Sequence, residues 1–141
     1  MATFVIVGGG LAGAKAAETL RAEGFDGEVV LFGSEPERPY ERPPLSKGYL
    51  LGKEERESAF VHAGDWYAAH NVDLRTGVTV AMIDPAAHLV TFASASSNSG
   101  TVGYDKLLLT TGASARRLDI PGTGLSNVRY QIGRASCRER V

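Results

Sequence analysis

The chain has 141 residues, enough for one domain of ordinary size, and its 15 basic and 16 acidic side chains give a net charge of −1. This balance argues against a nucleic-acid-binding protein, which would usually carry a clear basic excess, and no apolar run approaches the about 18 residues of a membrane span. One cysteine, Cys137, excludes a disulfide framework and a thiolate metal centre, and the first residues lack a secretory signal pattern, so we expect a cytoplasmic protein that binds neither nucleic acid nor a membrane.

A strand–helix–strand unit is predicted at the start of the chain. Thr3–Val7 is a short β-branched run typical of a buried parallel strand, and Glu28–Phe32 is a second one. Gly10–Glu23 predicts a helix between them, with Gly24 as its C-cap. The apolar face of this helix comprises Leu11, Ala14, Ala17 and Leu20, and its polar face Lys15, Glu18 and Arg21.

The rest of the chain predicts a long loop followed by short elements. Residues 33–53 contain four prolines among charged residues, a density that forbids a regular helix or central strand and suggests a functional loop. The Ser/Gly-rich segment Ala93–Gly103 predicts a hairpin tip, and Lys106–Thr110 predicts a buried strand. The other predicted elements are a short helix at Asp65–Asn71 and strands at Val72–Leu74, Val78–Ile83 and His88–Phe92.

A glycine-rich turn joins the first predicted strand to the helix. Residues 8–13 read GGGLAG and fit the pattern GxGxxG. The first glycine allows a sharp turn, the second lets a pyrophosphate approach the backbone, and the third lets the helix pack against the strand. The N–H groups and positive dipole of the helix start would then face phosphates. The candidate nucleotide-binding residues of this turn are Gly8, Gly10, Leu11, Ala12 and Gly13.

An acidic residue stands where such a nucleotide would place its ribose. Glu35 follows Gly13 by 22 residues, at the end of the second strand, and Ser34 beside it could share the ribose hydroxyls. Two alternatives stay open at this point: a glycine turn that binds no nucleotide, and a Glu35 that is a solvated surface carboxylate. The pattern alone does not separate FAD from NAD.

Two further segments resemble a known family. Residues 39–48 read PYERPPLSKG and resemble the PYxRPPLSK segment of the ferredoxin reductase-like flavoproteins. Residues 104–113 read YDKLLLTTGA and resemble the family's YDxLxLATG segment, with Thr111 in place of the usual alanine. The family includes rubredoxin, putidaredoxin and rhodocoxin reductases, the ferredoxin reductases of aromatic-ring dioxygenases, and apoptosis-inducing factor. The resemblance covers residues 3–130.

The resemblance implies an α/β fold, a Rossmann-like FAD/NAD(P)-binding domain of the GR2-type three-layer ββα/βα arrangement. Residues 1–130 would form the N-terminal portion of the FAD-binding domain, truncated before the NAD-binding domain. We therefore expect exposed sheet edges and apolar faces, weak or no FAD binding by this chain alone, and no turnover.

The resemblance also implies further cofactor contacts. Lys47, the catalytic candidate, would lie near the flavin, where a cation favours the reduced anionic form. The alternative is that Arg42 and Lys47 are ordinary solvated loop cations. The residues implied to contact FAD are Arg42 and Lys47 at the phosphates and flavin, Val80 at the adenine, and Thr111, Gly112 and Arg116 in a later turn.

Residues 36–60 contain no cysteine, which excludes the related flavoproteins that use a redox thiol. The resemblance then implies an FAD-dependent oxidoreductase that passes electrons from NAD(P)H, bound by the missing domain, to an iron–sulfur ferredoxin or rubredoxin-type acceptor. The alternatives are the large subunit of nitrite reductase, a monodehydroascorbate-type reductase, a signalling flavoprotein like apoptosis-inducing factor, and a non-flavin NAD-binding module. The three histidines are too far apart in sequence to indicate a metal site.

The last eleven residues differ from the rest of the chain. Residues 131–141 read QIGRASCRERV, with three arginines and the only cysteine, and show no helical or strand periodicity. The segment resembles a short-read sequencing adapter translated as codons, so we interpret it as a non-native tail. A genuine basic tail is the alternative.

Overall fold

The computed structural model describes residues 1–94, 99–128 and 130, so the predictions for residues 131–141 and for residues 95–98 lie outside the described part. Two 3₁₀ turns form, Pro43–Ser46 within the long loop of residues 33–53 and Arg56–Ala59 just after it. The regular elements are β1 (Thr3–Val7), α1 (Leu11–Ala22), β2 (Glu28–Phe32), α2 (Trp66–Ala69), β3 (Val72–Arg75), β4 (Val78–Asp84), β5 (Leu89–Ser94), β6 (Ser99–Gly103) and β7 (Lys106–Leu109).

The chain divides into two compact units. The first unit comprises Met1–Tyr40 and Phe60–Thr111, and it holds all the helices and strands given above. The second unit comprises Glu41–Ala59 with the described residues from Gly112 onward, and it contains both 3₁₀ turns. The assignment of residues 1–130 to one FAD-binding domain stays a prediction.

The first unit is built on a parallel sheet with strand order β3–β2–β1–β7. Val5 of β1 pairs with Val30 of β2 on one side and with Leu107 of β7 on the other. Since the strands run parallel, their carboxyl ends meet at one edge of the sheet. The βαβ unit predicted from the sequence is confirmed, with both of its strands at the predicted bounds.

The parallel sheet is the middle of three layers. On one face, Ile6 and Leu31 pack with Ala17 of α1 and Tyr67 of α2. On the other face, alternate residues of β1 and β2 pack against a three-stranded antiparallel sheet of order β4–β5–β6. The two-residue periodicity of a strand places successive side chains in different cores, which is why both strands consist almost entirely of apolar residues. The α/β fold class predicted from the sequence is confirmed.

Two predictions about the helical layer need correction. Leu11, assigned to the apolar face, is 43% exposed, because it stands at the open start of α1. Arg21, assigned to the polar face, is bonded to the protein: its guanidinium donates to the carbonyl oxygens of Phe25, Gly27, His70 and Asn71 at 2.6–2.9 Å. The second helix is confirmed but shorter, Trp66–Ala69.

The predicted hairpin tip at Ala93–Gly103 is wrong at both ends. β5 continues to Ser94, and Ser99–Gly103 forms β6, which pairs antiparallel with β5. Serine and glycine have low strand propensity, but cross-strand packing overrides it. A Cβ on Gly100 would lie 3.1 Å from the nearest atom of the Phe92 ring, a tight contact, so the glycine lets the ring pack closely against β6.

The prediction that the last strand is buried is also wrong. Leu108 is 43% exposed and Leu109 is 56% exposed, because β7 pairs only with β1 among the described strands and forms an edge of the sheet. A groove of about 550 Å³ runs between β7 and α1, lined by apolar side chains that include Leu20 and Leu108. The expected exposure of a sheet edge and apolar side chains is therefore observed. Within the described residues, every helix is too short or too polar to cross a membrane.

Candidate functional site

The glycine turn after β1 is shaped by main-chain packing. Gly8 has a φ of +122°, and a Cβ there would collide with the carbonyl group of Thr110. Gly13, in the first turns of α1, lies against the Gly8 carbonyl oxygen, with which its Cβ would also collide. The two glycines therefore let the helix begin directly on top of the turn, as the sequence pattern requires.

Gly10 has a different environment. It is the N-cap of α1, with φ −95° and ψ −170°, and no atom lies within 4 Å of the position that its Cβ would take. The helix start has no side-chain cap and no acidic residue in its first turn, and Leu11 and Ala12 beside it are exposed. An open, uncapped helix start presents N–H groups and a positive dipole end, which suit an anionic group.

The loop after β2 lies directly beside this turn. The Gly8 N–H donates to the Phe32 carbonyl oxygen at 2.8 Å, and a Cβ on Gly9 would lie 2.8 Å from the Gly33 Cα. Gly33 in turn donates its N–H to the Arg75 carbonyl oxygen of β3 at 2.9 Å. The close approach of Gly9 and Gly33 was not predicted from the sequence, although a glycine directly after a buried strand is a usable signal for it.

Glu35 is exposed on this loop and is held at two points. Its carbonyl oxygen accepts a hydrogen bond from the Gly77 N–H at 2.8 Å, and its carboxylate Oε2 accepts one from the Tyr40 hydroxyl at 2.6 Å. Ser34, next to it, is also exposed. The carboxyl edge of the sheet thus brings together the open helix start and an acidic side chain, the pair that the sequence predicted for phosphate and ribose.

Val80 lies near a β-bulge of β4. Val80 pairs with Phe92 and Met82 pairs with Thr91, so Ala81 is an extra residue in the ladder. Two residues before Val80, the Val78 N–H donates to the Gly33 carbonyl oxygen at 2.9 Å, which ties β4 to the loop after β2. A bulge frees main-chain groups from strand pairing, as the predicted main-chain contact to an adenine requires.

Four predicted site residues belong to the second unit, while Thr111 is the last residue of the first. Lys47 is exposed and follows the 3₁₀ turn Pro43–Ser46; its N–H donates to the Pro44 carbonyl oxygen, and its own carbonyl oxygen accepts from Leu51, both at 3.0 Å. The second-unit residues are Arg42, Lys47, Gly112 and Arg116. Their predicted approach to a cofactor stays a prediction.

The sequence motifs contained two site residues whose roles were missed. Thr110 Oγ1 lies 2.9 Å from the Gly8 carbonyl oxygen and 3.2 Å from that of Val7, so it braces the glycine turn. Tyr40 bonds to Glu35 as described above. Both residues stand in the segments quoted for the family resemblance; Gly8 lies 102 residues before Thr110 and Glu35 lies five residues before Tyr40, and only the fold reveals the two contacts.

Among the described residues, three groups with clearly shifted pKa values, Glu18, His62 and Tyr67, lie on the helical face of the parallel sheet. Burial lowers the pKa of His62, whose Nε2 lies 3.5 Å from Glu18 Oε2. A hydrogen bond from Lys15, with 2.7 Å between the charged atoms, lowers the pKa of Glu18. Burial raises the pKa of Tyr67 to about 12. In the described ranges, no three metal-ligating side chains come together.

Sequence comparisons place the chain among reductases. The sequence profile of the pyridine nucleotide-disulphide oxidoreductase family matches residues 2–138. The chain is 48% identical over 118 residues to the 3-phenylpropionate/cinnamic acid dioxygenase ferredoxin–NAD(+) reductase component of Photorhabdus laumondii, covering 84% of this chain and 29% of that protein. It is 41% identical over 128 residues to rhodocoxin reductase of Rhodococcus erythropolis, covering 91% of this chain and again 29% of the relative.

Solved structures agree with the sequence comparisons. Putidaredoxin reductase, in its covalent complex with putidaredoxin, superposes with a TM-score of 0.78 at 38% identity, covering 86% of this chain and 28% of that one. The ferredoxin reductase for the CYP199A2 system of Rhodopseudomonas palustris gives a TM-score of 0.82 at 30% identity, covering 99% and 34%. The chain therefore spans about three tenths of the length of these proteins.

Proposed function

The chain belongs to the pyridine nucleotide-disulphide oxidoreductase family, and we propose that its first unit binds the ADP half of FAD in an NAD(P)H-dependent ferredoxin reductase. The observation that carries the proposal is the contrast among the glycines of the turn. Gly8 and Gly13 are packed against main chain, whereas Gly10 faces open space at an uncapped helix start. Space kept free at that position leaves room for a pyrophosphate.

The acidic residue at the same edge supports a ribose beside the phosphates. Glu35 is exposed, and the bonds from Gly77 and Tyr40 fix both its main chain and its carboxylate. A carboxylate there accepts hydrogen bonds from ribose hydroxyls. Val80 precedes the bulged residue Ala81 on β4, which is bonded to the same loop, and main-chain groups at Val80 would contact the adenine.

Three cations, Arg42, Lys47 and Arg116, are proposed to contact the cofactor. Arg42 and Arg116 would pair with the pyrophosphate or the neighbouring groups, because guanidinium forks match phosphate oxygens. Lys47 is the candidate catalytic residue beside the flavin, and the 3₁₀ turn before it restricts its main chain. An ammonium group near the flavin stabilises added negative charge and raises the tendency of the flavin to be reduced.

Bound FAD would supply hydride acceptance from a nicotinamide and release of single electrons, which suits an iron–sulfur acceptor. Residues 1–130 contain no cysteine, so this part of the chain has no thiol to relay electrons. We propose a ferredoxin or a rubredoxin-type protein as the acceptor, since several relatives are named as ferredoxin reductases. A cytoplasmic location, proposed from the low cysteine content, is tested by fractionating cells that produce the parent protein.

Nucleotide binding is tested directly on the 141-residue chain. The chain is titrated with FAD, ADP and FMN and followed by NMR, a method that measures dissociation constants as weak as millimolar. We expect FAD and ADP to bind at the same residues and FMN, which lacks the adenosine half, to bind much more weakly. The Glu35→Ala variant should bind ADP more weakly, whereas Glu23→Ala, at the opposite end of α1, should not. Weak binding or none by this chain alone was expected from the sequence, and the proposed site requires weak binding. Equal binding of FMN and ADP, or none of either, therefore contradicts the proposed site.

The reductase function is tested by exchange of segments. Residues 3–130 of this chain would replace the matching segment of Rhodococcus erythropolis rhodocoxin reductase, to which the chain is 41% identical. We expect the chimera to purify with FAD and to reduce its acceptor with NAD(P)H. The same chimera with Lys47→Ala should keep FAD but reduce the acceptor more slowly. A folded chimera that is colourless contradicts the proposed function.

A further inference from the structure

The Tyr40 hydroxyl donates a hydrogen bond of 2.6 Å to Oε2 of Glu35, five residues earlier in the chain. The distance is short, as expected when the acceptor is an ionised carboxylate. A glutamate on an exposed loop normally samples many rotamers and must be ordered when it binds a ligand. Here one of its carboxylate oxygens already has a fixed partner.

Both ends of this hydrogen bond rest on restrained main chain. On the tyrosine side, Tyr40 forms a β-bridge with Phe60, and Pro39, which is fully buried, accepts a hydrogen bond from the Val61 N–H at 3.0 Å. On the acid side, the Glu35 carbonyl oxygen accepts from the Gly77 N–H at 2.8 Å. These main-chain bonds hold the two Cα positions at a fixed spacing, which leaves only side-chain rotation to break the hydrogen bond.

The segment around Tyr40 is itself braced by a cation. The Arg38 guanidinium lies 3.6 Å from the centre of the Phe60 ring, over its face, and Arg38 Nε donates to the His62 carbonyl oxygen at 3.3 Å. Arg38 thus joins the two chain segments that form the bridge. This support lies outside the nucleotide-binding residues, so the position of the tyrosine is set independently of a bound ligand.

We propose that Tyr40 is a positioning residue for the nucleotide, holding the Glu35 carboxylate in the orientation that accepts a hydrogen bond from an adenosine ribose hydroxyl. This inference rests on the proposed function, because it assumes that Glu35 faces the ribose. It adds a specific consequence: Tyr40 contributes to affinity only through the ribose hydroxyl and only when Glu35 is present. A hydrogen bond that merely fastened the loop would affect stability without that dependence.

The test compares ADP with 2′-deoxy-ADP on the full 141-residue chain, with dissociation constants from NMR titration. The measured quantity is the ratio of the two affinities within each variant, so a change in the folded fraction cancels. We expect the wild-type chain to prefer ADP, and Tyr40→Phe to reduce that preference by about three- to tenfold, the range for loss of one hydrogen bond. Tyr104→Phe, at the amino end of β7, is the matched control and should leave the ratio unchanged.

A double variant makes the coupling explicit. In a chain that already carries Glu35→Ala, adding Tyr40→Phe should not change the ratio further, because the group that Tyr40 positions is gone. A Tyr40→Phe variant that unfolds more easily but keeps the wild-type ratio overturns the inference and leaves the nucleotide site intact. A wild-type chain that binds ADP and 2′-deoxy-ADP equally also overturns it. Failure to bind ADP or FAD at all contradicts the proposed function as well.

Discussion

Thr110 Oγ1 lies 2.9 Å from the carbonyl oxygen of Gly8, to which its hydroxyl can donate, and this contact joins the end of β7 to the turn after β1. The Thr110 N–H adds a second bond, to the Val7 carbonyl oxygen at 2.8 Å. Gly8 has a positive φ, so the threonine supports a restricted point of the turn. The strand furthest along the chain therefore stabilises the loop that we assign to the phosphates.

Replacing this hydroxyl separates its effect from that of side-chain volume. Thr110→Val should lower the free energy of unfolding by about 1 kcal/mol, because a nearly isosteric side chain leaves the Gly8 carbonyl without its donor. Thr110→Ser keeps the hydroxyl and should lose less. Urea denaturation followed by circular dichroism measures both, and equal losses for the two variants would contradict the assigned role.

Substitution by alanine should affect Gly8 mainly through stability and Gly10 mainly through ADP affinity. Gly8→Ala introduces a collision with Thr110 at a positive φ and should lower the free energy of unfolding by at least about 1–3 kcal/mol. Gly10→Ala meets open space, so its stability cost should be only a few tenths of a kcal/mol, as expected for glycine and alanine at an N-cap. Its ADP affinity should nevertheless fall, since the Cβ occupies the space proposed for phosphate.

Thermal unfolding and ADP titration of the two variants give the outcome. A destabilised Gly10→Ala chain would show that the position is packed in the protein. A stable Gly10→Ala chain with unchanged ADP affinity would show that the open space is not used by the nucleotide.

The βαβ core was predictable because local patterns and tertiary packing agree there. Thr3–Val7 and Glu28–Phe32 are short apolar runs, and the glycines between them have a spacing that one packing arrangement explains. β6 was not predictable, since Ser99–Gly103 owes its strand conformation to pairing with β5 and to the Phe92 ring. Leu109 is exposed because β7 lies at the edge of the sheet. The order of strands in a sheet cannot be read from the composition of one strand, so this exposure was not predictable.

The site was predicted unevenly for the same physical reason. Gly8, Gly13 and Glu35 were identified because each has a fixed offset from a strand or a helix. Thr110 acts through a contact with Gly8, 102 residues earlier, and Tyr40 through a side-chain contact with Glu35, five residues earlier. The residue types around Thr110 and Tyr40 indicate neither contact. Arg21 was misjudged similarly, because its position on the polar face of α1 says nothing of the carbonyl groups packed around it.

Arg21 should be the surface residue whose loss costs most stability. Its guanidinium bonds four carbonyl oxygens, two in the turn after α1 and two in the turn before β3. Arg21→Lys keeps the charge but cannot reproduce the planar set of donors, so we expect a loss of about 2–3 kcal/mol of unfolding free energy. Lys15→Met, on the exposed side of the same helix, is the control and should change stability little. An Arg21→Lys chain as stable as wild type would show that the four hydrogen bonds of the guanidinium contribute little to stability.

His62 should make the stability of the chain depend on pH. Burial is the main cause of its lowered pKa; nearby Lys15 and His70 lower it further and Glu18 opposes them. The ring also stacks on Trp66, with 3.9 Å between ring centres. Since the folded state disfavours the imidazolium, the unfolded chain takes up a proton first as the pH falls below about 6.5. The free energy of unfolding should therefore fall with pH from that point until the folded pKa is passed.

Thermal unfolding at about pH 7.5 and about pH 5.5 tests this, because the lowered pKa of Glu18 acts only in a more acidic range. The unfolding temperature should drop between the two conditions, and His62→Phe, which keeps a ring against Trp66, should show a smaller drop. His88→Asn removes an exposed imidazole at a position with φ +53°, which asparagine tolerates, and should retain the wild-type drop. Equal pH dependence in wild type and His62→Phe would assign the effect to other groups.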